Sequence, residues 1–270
     1  MKKLLIALLL LLFLTSCGKE AVDVVIEDQS AESVATQEVE LSVSEQEQAT
    51  IEEVIEPEIK EIPATFNHDV AFASQAPFAN WDLPYQEACE EASLIMAYKY
   101  FANEKLDKQV MDNEIKKLVD WQNETFGYYT DTNLEEVKHI AEEYFNLDVQ
   151  ISEKVEVDFI KQMISNGYLI IIPASGRDLD NPNFTSPGPI FHMLVIRGYD
   201  RNEFITNDPG TRKGLKFKYK YRNLIDSIHD LITENGEQFR PYELKNMADS
   251  VKLEKMRSGP KKILIIKGLQ

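Results

Sequence analysis

Two stretches of the chain, residues 168–173 (YLIIIP) and 190–197 (IFHMLVIR), are apolar at nearly every position rather than at every second one. A strand with one wet face alternates, so unbroken runs bounded by Gly167 and by Pro187-Gly188-Pro189 predict strands inside a sheet. Upstream the period changes. Residues 88–102 place Cys89, Ala92, Ile95, Met96 and Phe101 near helical spacing, and residues 106–121 do the same with Val110, Met111, Ile115 and Leu118. A third helix is expected over 132–145, opened by Thr132 and Glu135 as a capping box. A short strand over 148–152 follows, then a helix over 157–166 that ends on Asn166-Gly167. Beyond the second apolar run come strands over 203–207 and 215–221, a helix over 224–231 and a last strand over 262–267 that closes the sheet. Helices first and antiparallel strands afterwards predict an α+β fold rather than βαβ repeats.

The first 63 residues are of other material. Met1-Lys2-Lys3 is basic, and residues 4–14 form an apolar run too short to span a ~30 Å hydrocarbon core but fit for a signal segment. It ends in Leu14-Thr15-Ser16-Cys17, which resembles a bacterial lipobox, so residues 1–16 are expected to be a lipoprotein signal peptide and Cys17 the lipidated residue. Several acyl chains anchor a protein stably, at roughly 0.8 kcal/mol per buried methylene. Residues 18–63 hold fourteen Asp and Glu against two Lys and no aromatic residue. Such a stretch cannot bury enough apolar area to offset chain entropy, so residues 17–63 are expected to be a disordered acidic linker. Residues 64–270 form one folded domain. The sequence therefore predicts an extracytoplasmic protein, lipid-anchored to a bacterial cell membrane.

The net charge of −17 argues against nucleic acid as the main partner. Two cysteines make no disulfide framework, and four histidines without CxxC or HExxH make no structural zinc pattern, so no cofactor or metal is expected.

With Cys17 set aside, Cys89 is the one remaining thiol. A small buried hydrophobe is the plain alternative. Its place at the start of a helix, after a loop, favours a thiolate, because the first N–H groups of a helix lack partners. A nucleophilic thiolate needs a base. His68, His139 and His229 lie in polar surroundings, whereas His192 sits inside an apolar strand where an imidazole must have a partner. If residues 190–197 and 203–207 pair around Asp200, opposed numbers sum to 400 and His192 faces Asp208; a one-residue slip brings Asn207 there instead. An acceptor at that point orients the imidazole, as in a Cys-His-Asp/Asn triad.

The strings SQAPF and ACEEASLIMAY (between Ser74 and Tyr98), PIFHMLVIRGYD (from Pro189) and ITNDPGT (from Ile205) resemble the double-glycine-peptidase-like, or bacteriocin-processing-like, cysteine peptidases of the papain-like fold. The resemblance implies N-terminal helices packed on a C-terminal antiparallel sheet. It implies Cys89 as nucleophile, His192 as general base, Asp208 as orienter and Gln75 as the oxyanion-hole side chain, with Gln86 as a rival. It also implies a peptidase that cleaves peptide or protein substrates through an acyl-enzyme, anchored by the lipobox-like start. A cell-wall endopeptidase, a transglutaminase-like enzyme and an inactive peptide-binding lipoprotein are the other readings. One departure is chemical. Many members carry Gly and a small residue after the cysteine, and here Glu90-Glu91 stand there, opposing a thiolate. Trp81, Tyr85, Tyr128 and Tyr129 are candidate groove residues.

Overall fold

The computed structural model describes residues 61–234 and 236–270. The basic start, the apolar run, Cys17 and the acidic stretch through residue 60 lie outside the described residues, and so do the expectations placed on them.

Strand β1 (Phe66–Asn67) leads through an irregular stretch to a 3-10 turn (Tyr85–Glu87) and then to helices α1 (Cys89–Phe101), α2 (Lys108–Thr125) and α3 (Leu134–Glu143). Strand β2 (Leu147–Ser152), helix α4 (Val157–Ser165) and strand β3 (Leu169–Ser175) follow. Next come β4 (Phe191–Tyr199), β5 (Glu203–Asn207), β6 (Phe217–Lys220) and helix α5 (Tyr221–Ser227). The hairpin β7 (Thr233–Glu234) and β8 (Glu237–Gln238), helix α6 (Asp249–Arg257) and strand β9 (Ile263–Leu269) complete the order.

The main sheet runs β2-β9-β3-β4-β5-β6, with β1 added against β4, and every pairing is antiparallel. Every residue of β3 and β4 is buried, as their unbroken apolar runs require. Leu169, Ile171, Met193 and Val195 point to one face and pack with residues of α1, α2 and α3. The alternate residues Ile170, Ile172, Leu194 and Ile196 point to the other, against Ile160 and Ile164 of α4 and Leu224 of α5. Each fully buried Leu, Ile or Val contributes roughly 1.5–3 kcal/mol. The α+β class and the N-terminal helices on an antiparallel sheet are as expected, and α4 with α5 adds a second covering layer.

Several expectations need correction. The capping box of α3 is Asn133 with Glu136, not Thr132 with Glu135, because Thr132 is fully buried and its N–H is donated to the Glu90 carboxylate at 3.1 Å. Strand β9 does not close an edge but lies between β2 and β3, where Ile263 to Ile266 are buried from both faces. Helix α5 begins at Tyr221 and stops at Ser227, since Ile228 turns extended and forms a bridge to Ala174. The β4–β5 register is not the expected one: Val195 faces Asn207 and Gly198 faces Ile205, with the pairing shifted between. The bulge falls on Arg197, whose buried guanidinium donates to the carbonyls of His68 and Val70 and to the side chains of Asn67 and Asn207.

Candidate active site

Three chain segments meet above the ends of α1, β4 and β5. Ser74 Oγ and the Gln75 N–H both donate to the Pro209 carbonyl at 3.0 Å, so the strip before α1 is tied to the turn after β5. Ser93, one turn into α1, donates to the Met193 carbonyl at 3.3 Å and holds the helix on β4. These ties set Cys89, the first residue of α1, and His192, near the start of β4, on the wall of one cleft of about 840 Å3.

His192 is 2% exposed and is fixed on several sides. Its Nε2 lies 2.8 Å from Asp208 Oδ1, and the Phe184 ring meets it edge-on with centroids 5.2 Å apart. Gly210 passes so close that a Cβ there would stand 2.8 Å from His192 Cε1, which only glycine tolerates. Asp208 is fully buried and saturated. Oδ1 also accepts the Gly210 N–H at 3.0 Å, while Oδ2 accepts the Tyr219 hydroxyl at 2.6 Å and the Asn181 amide at 3.0 Å. Burial alone would push this carboxyl up, but the His192 charge and hydrogen bond, with those from Tyr219 and Gly210, hold it below the ordinary aspartate value. The neighbouring Tyr219 hydroxyl is pushed far up by burial and then by the Asp208 charge. An Nε2–H donated to this carboxylate leaves Nδ1 as the lone-pair nitrogen of the imidazole.

The expected contact between His192 and Asp208 is therefore present, but not for the expected reason. One step beyond the Val195–Asn207 pair, Asp208 is level with Leu194 and reaches His192 diagonally. Asn207 is turned away. Its Oδ1 accepts from Arg197, and its amide donates to the carbonyls of Val70 and Ala71.

Cys89 sits in a different electrostatic setting. It is 6% exposed, and its Sγ donates to Glu90 Oε2 at 2.9 Å. Burial pushes the thiol well up, and the charge of Glu90, its hydrogen bond, and the charges of Glu87 and Glu91 push it further. No side chain caps α1, so its first backbone N–H groups are uncapped beside the sulfur. Burial likewise raises the carboxyls around the thiol. Glu87 rises to about 9, with Asp131 and Glu90 adding, and Asp131 rises to about 7. Glu90 and Glu91 are also pushed up by burial, Glu90 further by the Glu91 charge.

Gln75 and Gln86 both line the cleft. The Gln75 amide nitrogen donates to the carbonyls of Tyr85 at 2.9 Å and Gln86 at 3.1 Å, which leaves its Oε1 buried and without a partner. Of the candidate aromatics, Trp81 alone lines the cleft. Tyr85 is buried and donates to Asp112, Tyr128 lies 3.8 Å under the Arg240 guanidinium, and Tyr129 borders a separate shallow pocket. Among the described residues no group of three or more His, Cys, Asp or Glu is arranged to hold a metal ion. Asn181, Tyr219 and Gly210, which fix Asp208 and His192, were not picked out from the sequence as site residues. Asn181 lies in a loop without periodicity, and Tyr219 reads as one more residue of an alternating strand.

Residues 67–229 match the model of the family described as Peptidase_C39-like. The chain belongs to that family. Its members are C39-like peptidases, so this is a C39-like cysteine peptidase domain, and the matched span runs from β1 to just past α5 and contains Cys89, His192 and Asp208. The C39-like chain is also similar to a solved structure of a proposed C39-like peptidase from Bacillus anthracis, at 19% identity, 75% of this chain, 96% of that one and a TM-score of 0.42. No curated protein matches the sequence. The hairpin β7–β8, helix α6 and strand β9 lie outside the matched span.

Proposed function

We propose that this domain is an active cysteine peptidase in which Cys89 is the nucleophile, His192 the general base and Asp208 its orienter. The observation that carries the proposal is the 2.8 Å contact between His192 Nε2 and a saturated, buried Asp208. It leaves Nδ1 free to take a proton inside a cleft shared with Cys89.

In the proposed reaction the Cys89 proton passes to His192 Nδ1 and Sγ bonds to the scissile carbonyl carbon. The uncapped Cys89 N–H is placed to receive the oxyanion. Collapse breaks the C–N bond, and His192 gives its proton to the leaving amine. Water then attacks the thioester, again deprotonated by His192, and releases the acid and the thiol. The Gln75 amide steadies the carbonyls of Tyr85 and Gln86 that lead into α1, so its donation to the oxyanion requires those two bonds to open. Gln86 is the rival on the cleft rim.

The proposal includes a tether. The basic start, the apolar run and Cys17 support a lipidated, extracytoplasmic protein, and replacement of Cys17 by Ala should move it from the membrane fraction to the soluble one.

A second reading is favoured by the bond from Cys89 to Glu90. A thiol held by a carboxylate and raised by burial suits an inactive peptide-binding domain. Positional peptide libraries incubated with the wild type and with Cys89→Ala decide between them. Cleavage in the wild type alone supports the peptidase; no cleavage by either supports the binding domain.

A further inference from the structure

The wall of the cleft beside Cys89 is built of carboxyl and amide groups. Glu87, Glu90 and Asp131 line it together with Gln75, which is 3% exposed and whose Oε1 has no hydrogen-bond partner. The nearby cations are engaged elsewhere. Arg240 donates to Glu136 and to the carbonyls of Thr130 and Asp131, and Lys252 donates to the Pro241 carbonyl at 2.8 Å. Among the described residues no Lys or Arg forms an ion pair with Glu87, Glu90 or Asp131. Asp131 Oδ2 accepts the Tyr242 N–H and Glu90 accepts from Thr132 and Cys89, but no cation pairs with these carboxyls directly, and burial keeps protons on Glu87 up to about 9 and on Asp131 up to about 7. Arg212 and Lys213 also line the cleft, but on the loop after Gly210, the segment that carries Asp208.

From this arrangement, and resting on the peptidase reading above, we infer that the site takes peptides carrying an ammonium or guanidinium group beside the scissile bond, seated among Glu87, Glu90, Asp131 and Gln75 Oε1. A cation favours the ionised, acceptor-only form of these carboxyls and draws off the protons that burial keeps on them. Its arrival also changes the nucleophile. Glu90 Oε2 is the oxygen that holds the Cys89 proton, and a cation that draws on this carboxylate competes with the thiol for it. The proton is then free to pass to His192 Nδ1. Substrate binding and thiol activation become one event, and a neutral peptide of the same shape leaves the thiol held.

The test uses the full chain in detergent and two readouts. The first is the rate of iodoacetamide alkylation of Cys89, followed by mass spectrometry of its peptide, with N-acetyl-lysine methylamide or its norleucine counterpart present. The second is cleavage of positional libraries containing Lys, Arg, norleucine or citrulline. Acceleration of labelling of threefold or more by the lysine compound alone, reduced in Glu87→Gln and in Asp131→Asn, supports the seat. Glu87 is half-buried, so its variant remains informative if Asp131→Asn misfolds. Equal labelling with both compounds overturns the inference, whether or not peptides are cleaved. Lysine-dependent labelling without any cleavage leaves the seat standing and removes the peptidase reading. Cleavage with less than a tenfold preference for Lys or Arg over norleucine or citrulline also overturns it.

Discussion

Cys89 and Glu90 are sequence neighbours at the start of α1, and their side chains are hydrogen-bonded to each other, Sγ to Oε2, at 2.9 Å. The helix start that ought to favour a thiolate thus carries, one residue on, the group that most directly opposes it. The resting sulfur is a protonated donor.

Replacing Glu90 by Gln should release it. The amide keeps an acceptor for the Thr132 N–H but removes the charge that raises the thiol. Alkylation of Cys89 by iodoacetamide at pH 9, above the Glu90 value of about 8, should become faster by about tenfold, the equivalent of one pKa unit. An unchanged or slower rate would show that burial alone holds the proton.

Asp208 has the most to lose from truncation. Asp208→Ala leaves the His192 ring, the Tyr219 hydroxyl, the Asn181 amide and the Gly210 N–H without their common acceptor in a buried site. A cost of about 3–5 kcal/mol is expected. Urea denaturation measures it, and a loss below 1 kcal/mol would contradict the saturated geometry. Asp208→Asn should keep more of the stability but still abolish peptide cleavage.

Gly210→Ala separates positioning from stability. The added methyl would stand 2.8 Å from His192 Cε1, so the ring must shift from its place between Phe184 and Asp208. Cleavage should fall at least a hundredfold for an overpacking cost of about 1–3 kcal/mol. Thermal melting with kinetics on the same sample checks the pair of effects.

The raised carboxyls give stability a definite pH dependence. Glu87 at about 9, Asp131 at about 7 and Asp230 at about 6 are raised by burial, as are Glu90 and Glu91. Unfolded, such groups ionise near pH 4, so the folded state binds more protons from there upward. Their contribution is whole below about pH 4 and is lost as pH rises through about 9. Asp208, held low, matters only below its ordinary value and does not oppose this trend. Melting temperature should therefore fall by several degrees between pH 5 and 9, at roughly 2–4 °C per kcal/mol for a domain of this size. Glu91→Gln should flatten the slope. A flat or rising profile in the wild type would refute the assignment.

How much of this was legible in the sequence depends on whether the signal was local. The unbroken apolar runs marked β3 and β4 because burial from both faces leaves no polar positions to alternate. The start of α1 and the placing of Cys89 on it followed from helical spacing. The register of β4 on β5 did not, because Arg197 turns inward to four partners from elsewhere in the chain, and nothing around it announces a bulge. The box of α3 was displaced by one residue for a similar reason: Thr132 serves Glu90, 42 positions away. Helix α6 has only Lys252 and Met256 buried, too thin an apolar stripe to be read.

Strand β9 lies between β2 and β3, although it follows every residue of the candidate site in the chain. Its pairing with β2 joins segments about 120 residues apart, and β3, next to it, carries Ala174 opposite His192. The middle of the sheet therefore stays open until that last strand has been made and threaded home. The platform beneath the His192 imidazole is thus completed by a strand that comes after it in the chain, and the site depends on residues far beyond its own.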